Sequence, residues 1–133
     1  MAIDPLVYEY VANEENYPEN AVIIEEGSNA YWVYVVLEGQ VKVKKRTPNG
    51  MVTVNTLKEG AIFGEIAFFQ EGEVTRTASV IADGPVQVGI LDTERLITDW
   101  QMLSPQLKGL IMSLIKRLQE ATKRTIAMVV EST

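Results

Sequence analysis

The stretch from Ala21 to Leu91 is cut by glycine every few residues, at Gly27, Gly39, Gly50, Gly60, Gly64, Gly72, Gly84 and Gly89. Parallel strands need crossover connections of a dozen or more residues, usually helical. No piece between these cuts carries such a helical pattern, so the region reads as short antiparallel strands and tight turns. "AVIIEEG" is a short strand ending at Gly27. "YWVYVVLEGQVKVKKR" reads as two strands joined at Glu38-Gly39. Within it Val41 and Val43 share one face, and Lys42 and Lys44 the other, the period-two mark of a half-buried strand. "TPNG" is a hairpin signal, "MVTVNTL" the returning strand, and "ADGP" a turn into "VQVGIL". Strands at this spacing make a sandwich or a barrel.

The flanks differ. Residues 1–20 are acidic, contain Pro5 and Pro18, and suggest a short helix over Leu6–Ala12. After Leu91, "DTERLITDW" offers Asp92 or Thr93 as an N-cap, with Glu94 in the first turn. A longer helix opens with Ser104 as N-cap and Pro105 in the first helical position. Along it Leu107, Leu110, Ile111, Leu114, Leu118, Ala121 or Thr122, Thr125 and Met128 recur at three- and four-residue steps, one apolar stripe on a helix of over twenty residues. Trp32, in an apolar strand, and Trp100, at a helix end, are expected to pack in the core.

A length of 133 residues suits one domain with a real core. There is no cysteine and no histidine. That excludes disulfides, thiol nucleophiles, Ser-His-Asp catalysis and the commonest metal ligand, and no enzymatic activity is expected. A net charge of −6 argues against nucleic acid as a partner. The basic groups Lys42–Arg46 and Lys116, Arg117, Lys123 and Arg124 read as solvated faces. No signal peptide and no membrane-length apolar run is visible, so a cytoplasmic location without membrane contact is expected.

One arginine does not fit a simple core strand. In "VTRTASVIA", alternation puts Arg76 with Ala78, Val80 and Ala82, on the apolar side. A buried guanidinium needs a partner. That partner is either Glu65, Glu71 or Glu73, or an anion that comes and goes. A guanidinium fork suits phosphate oxygens. Upstream, Gly60, Gly64 and "EIAFF" read as a glycine-rich turn entering one turn of helix, whose first amides, near Ile66 and Ala67, would face an anion. Glu65 can only accept, which suits a sugar hydroxyl. The parts together would hold a sugar phosphate.

The stretch "LKEGAIFGEIAFFQEGEVTRTASVIA" closely resembles the phosphate-binding cassette of cyclic nucleotide-binding domains, a family that includes bacterial catabolite activators, kinase regulatory subunits and gated channels. The matching residues are Gly60, Phe63, Gly64, Glu65, Ile66-Ala67, Arg76, Thr77 and Ala78. "IIEEGSNAYWVYVVLEGQVKV" looks like the family's first hairpins, with Gly27, Tyr34 and Gly39 at turn and core positions, and residues 92–119 look like its closing helices.

The resemblance implies a mainly β fold with flanking helices: an antiparallel double-stranded β-helix (a jelly roll, cupin-like), then a short helix and a long C-terminal helix. It would form a single domain over 1–133, with an N-terminal segment to about residue 20, a roll over 21–91 containing a cassette at 60–82, and closing helices over 92–130. It also implies a cyclic nucleotide as ligand and no cofactor, with cAMP expected ahead of cGMP. Glu65 would hold the ribose 2′-hydroxyl and Arg76 the cyclic phosphate, helped by Gly64 and the amides of Glu65, Ile66 and Ala67. Thr77 would reach the phosphate or a guanine amino group. The long helix would cap the base, where a Thr-Ser pair of the catabolite activators aligns with Ala121 and Thr122 and only Thr122 keeps a hydroxyl. Those activators continue into a helix-turn-helix. This chain ends at "AMVVEST" without one, as a stand-alone sensor or as the sensor part of a longer protein. The long helix is expected to move on binding and to form a homodimer. The competing expectation is a ligand-free dimerisation or scaffold domain, in which Arg76 pairs with Glu71 or Glu73.

Overall fold

A computed structural model of the chain describes residues 5–28, 32–69 and 78–131. A 3-10 helix (Pro5–Tyr10) leads into β1 (Val11–Tyr17) and β2 (Val22–Ile24). Then come β3 (Tyr34–Thr47), β4 (Gly50–Lys58), β5 (Ile62–Phe63), α1 (Glu65–Phe69), β6 (Ser79–Leu91), α2 (Thr93–Gln101) and α3 (Pro105–Glu131). Among the described residues the strands form one antiparallel set in the order β1-β6-β3-β4, with β2 added to β6 and β5 to β3. This is the expected antiparallel β-roll followed by a short and a long helix.

The long strands β3 and β6 pair along nearly their whole lengths, from Tyr34↔Ile90 to Lys44↔Ser79. Two expected turns are therefore not turns. Gly39 does not separate two strands, and "ADGP" lies inside β6. The register shifts between Val36 and Glu38 and again between Glu38 and Gln40. Gly39 and Gly84 both take positive φ, +85° and +80°. Glycine here bends a continuous strand, as at a β-bulge, and does not reverse it. The bend is tight: a Cβ on Gly39 would lie 2.6 Å from the Pro85 carbonyl oxygen. Gln40 donates to Asp83 across it, and Lys42 pairs with Asp83 at 3.7 Å.

Alternation along β3 feeds two cores. Tyr34, Val36 and Val41 join Ile24, Phe63, Val80, Ala82, Val86, Val88 and Ile90 inside the roll. Val33 and Val35 face the other way with Leu91, under Val7, Tyr8, Tyr10, Phe68 and Leu96. Val35, Val36, Val41 and Val88 are fully buried, each worth about 1.5–3 kcal/mol relative to exposure.

Two further expectations change. The helix expected over Leu6–Ala12 is a 3-10 helix that stops at Tyr10, because Val11–Tyr17 is drawn into β1 by pairing with Leu91–Val86 of β6. Trp32 is not core but 52% exposed. It precedes the first ladder pair of β3, so the strand does not dictate its side. The hairpin at "TPNG" forms with Pro48-Asn49 at its tip, Thr47 opposite Gly50, and the Thr47 hydroxyl donating to the Gly50 carbonyl at 2.7 Å.

The helix caps follow the expected residues. The Asp92 carboxylate accepts from Arg95 N–H at 3.2 Å, and the Ser104 hydroxyl from Leu107 N–H at 3.1 Å. On α3 the half-buried side is Lys108, Ile111, Met112, Ile115, Gln119, Ile126, Val129 and Val130. Most of the expected stripe lies on a neighbouring face: Leu107, Leu110, Leu114, Leu118 and Met128 are exposed.

Candidate functional site

The cassette is built outward from the start of β3. The turn Lys58–Ala61 closes with Ala61 N–H donating to the Lys58 carbonyl at 3.0 Å. Buried Gly60 takes φ +88° and donates to the Val36 carbonyl at 2.8 Å, while Val36 N–H donates to the Ala61 carbonyl at 2.9 Å. Phe63 then pairs with Tyr34 in the ladder, and their rings stack with centroids 4.9 Å apart. Gly64, at φ +81°, turns the chain directly into α1, which Glu65 opens. A side chain at either glycine would strain the backbone.

The sequence-derived site residues divide by what the structure says of them. Gly64, Glu65, Ile66 and Ala67 form one continuous turn and helix start, with Gly64 and Glu65 half-buried. Thr122 lies on α3, solvent-exposed, three residues after Gln119 and four before Ile126, both half-buried, and so on the arc that faces the roll. α1 and α3 lie alongside each other. Arg76 and Thr77 are outside the described residues, as are Glu71 and Glu73. The strand that follows them is described. It begins at Ser79, and Ser79, Val80 and Ala82 are all buried, so burial at the start of β6 does not alternate from face to face.

The aromatic residues that set α1 in place had no motif to announce them. Phe68 packs into the outer core with Leu96, and Phe69 sits edge-on to Trp100 of α2, with centroids 5.4 Å apart. α2 is fastened in turn to the 3-10 helix. Tyr10 donates to Asp99, Arg95 lies 5.0 Å over the Tyr10 ring, and the Arg95 guanidinium donates to the Glu9 carbonyl at 2.7 Å. The hydrogen bond to Asp99 raises the Tyr10 pKa.

At the other end of the roll, Glu26 accepts from Arg46 N–H at 3.0 Å and pairs with Lys45 at 3.4 Å. Chiefly through the Arg46 amide, its carboxyl is held below the usual range. Lys42 and Lys45 thus have partners and are not simply a solvated basic face.

Among the described residues no three Asp, Glu, His or Cys side chains come together as a metal site, and no helix is long and apolar enough to cross a membrane. Glycine-rich turn, short helix, roll and closing helices are also the parts of a known family. The model of the cyclic nucleotide-binding domain matches residues 14–98. The chain belongs to that family.

Relatives of this cyclic nucleotide-binding domain agree. The cAMP-activated global transcriptional regulator of Pasteurella multocida is 26% identical over 126 residues, 92% of this chain and 60% of the relative. A CRP-like regulator of Mycobacterium tuberculosis is 24% identical and matched over 49% of its length. The chain thus spans about half the length of the curated regulators it matches. Among solved structures, the Thermus thermophilus catabolite activator protein superposes with a TM-score of 0.68 at 27% identity, over 92% of this chain and 57% of that one. An EAL enzyme bound to cAMP and cyclic-di-GMP reaches 0.73 at 24% identity, over 88% and 31%, and shares the fold alone.

Proposed function

We propose that the chain is a cyclic-nucleotide sensor without catalysis of its own, with cAMP ahead of cGMP as its ligand. The observation that carries this is the cassette: Gly60 and Gly64 at positive φ place a half-buried Glu65 at the head of α1, within a sequence match that continues to Arg76. Glu65 is assigned to the ribose hydroxyl. Arg76 is assigned to the cyclic phosphate, with the amides of Glu65, Ile66 and Ala67. Thr77 is assigned to the phosphate or a guanine amino group, and Thr122, on the roll-facing arc of α3, to the base. The relatives support cyclic nucleotides as the ligand class. A Pasteurella multocida relative is a cAMP-activated global transcriptional regulator, and a human relative, 36% identical over 81 residues, is cyclic nucleotide-gated channel beta-1.

The signal would be a population shift. Nucleotide favours one arrangement of α1 and α3 over another, by as much as its affinity for the two differs. α3 suits the moving part, because it lies against α1 and β4 and holds no fully buried residue. Its exposed leucine face is assigned to a homodimer contact between two copies of α3.

Calorimetric titration with cAMP and with cGMP, on the wild type and on Arg76→Ala, tests the reading. Micromolar or tighter binding that is lost in the variant is expected, and the preferred base identifies the signal. Absence of heat with both nucleotides would make the chain a scaffold that keeps the fold without the ligand.

A further inference from the structure

Among the described residues Ser79, at 6% exposed, is a buried polar side chain, and apart from the Tyr34 phenol no other side chain buried to that degree carries a polar group. It is the first residue of β6, and it begins the strand three positions after Arg76. Its hydroxyl accepts from the Glu26 N–H at 2.9 Å, across 53 residues of sequence. Glu26 also accepts from the Arg46 N–H with its carboxylate and pairs with Lys45. Directly opposite Ser79 in the ladder is Lys44, the last pair that β3 and β6 make. Three segments therefore meet at one point: the turn after β2, the far end of β3 and the first residue of β6.

Strand ends fray, and a terminal pair holds only as well as what lies beside it. Alanine would fill the site of Ser79 without steric cost, so packing does not require the hydroxyl. What the hydroxyl does is satisfy an amide that would otherwise lose its partner. We propose that Ser79 and Glu26 are positioning residues for nucleotide binding: the hydrogen bond from the Glu26 N–H to the Ser79 hydroxyl fixes the start of β6, three residues after Arg76 in sequence. This rests on the sensor reading above.

The test is the affinity for the cyclic nucleotide that the wild type binds, measured on Ser79→Ala and Ser79→Thr together with each variant's thermal midpoint. Full coupling of this part-buried hydrogen bond to the site predicts roughly ten-fold weaker binding for Ser79→Ala. Ser79→Thr, which keeps the hydroxyl, is expected to recover the wild-type affinity. A merely structural role would lower the thermal midpoint of Ser79→Ala and leave its affinity, read well below that midpoint, unchanged, and that result would overturn the inference. So would equal weakening in both variants. Absence of binding in the wild type would overturn the sensor reading first, and this inference with it.

Discussion

At the scale of single residues, the roll depends most on one that has no side chain. Gly39 combines φ +85° with a carbonyl oxygen 2.6 Å from where a Cβ would stand. The left-handed backbone alone costs a non-glycine residue about 1–2 kcal/mol, and backbone at that distance cannot move aside cheaply. Gly39→Ala is therefore expected to destabilise the fold by at least ~2 kcal/mol in urea unfolding. A variant of wild-type stability would mean that the bend relaxes. This residue also shows where sequence reasoning stops. A glycine between apolar runs was legible as a special backbone position. Whether it reverses a strand or bends one depends on the strand opposite, here β6, more than forty residues later. The glycine turn into α1 was legible for the opposite reason: Gly60, Phe63, Gly64 and Glu65 are neighbours in sequence.

Elements show the same division. α2 and α3 begin at the expected caps because capping is local. β1 was missed because "VANEENY" is mostly polar, and only pairing with β6 makes it a strand. Periodicity showed that α3 has an apolar stripe, but not what would cover it, and the roll takes a neighbouring arc instead. What the roll leaves open carries a prediction. If two copies of α3 meet there, Leu118→Glu, at a site already 55% exposed, is expected to halve the mass in sedimentation and leave the monomer folded. An unchanged mass would remove the dimer assignment.

For the molecule as a whole, charge is unevenly shared. α3 carries Lys108, Lys116, Arg117, Lys123 and Arg124 against Glu120 and Glu131, while the full chain is at −6. The remainder is therefore strongly acidic, and a carboxylate that the fold stabilises as the anion keeps its charge to lower pH than a free one. Glu26 is one of them, its carboxyl held low by the Arg46 amide and Lys45. A lowered folded-state pKa adds stability above the unfolded carboxylate range and loses it as pH falls through the folded value. The stability gap between wild type and Glu26→Gln is expected to be open at neutral pH and to close as pH falls below the free carboxylate range and through the lower folded value. A gap that does not vary with pH would show that the charge of Glu26 contributes nothing.

The two long strands have a further consequence for how this chain is made. β3 and β6 run through both halves of the roll, so neither half can be finished before the other. A ribosome that has released β1 to β5 has released a chain whose central partner strand is still inside the exit tunnel. The β3–β4 hairpin, closed by two residues, can zip early, but the valines of β3 wait for β6. The roll is then completed late and in one cooperative step, just ahead of the two helices that close it.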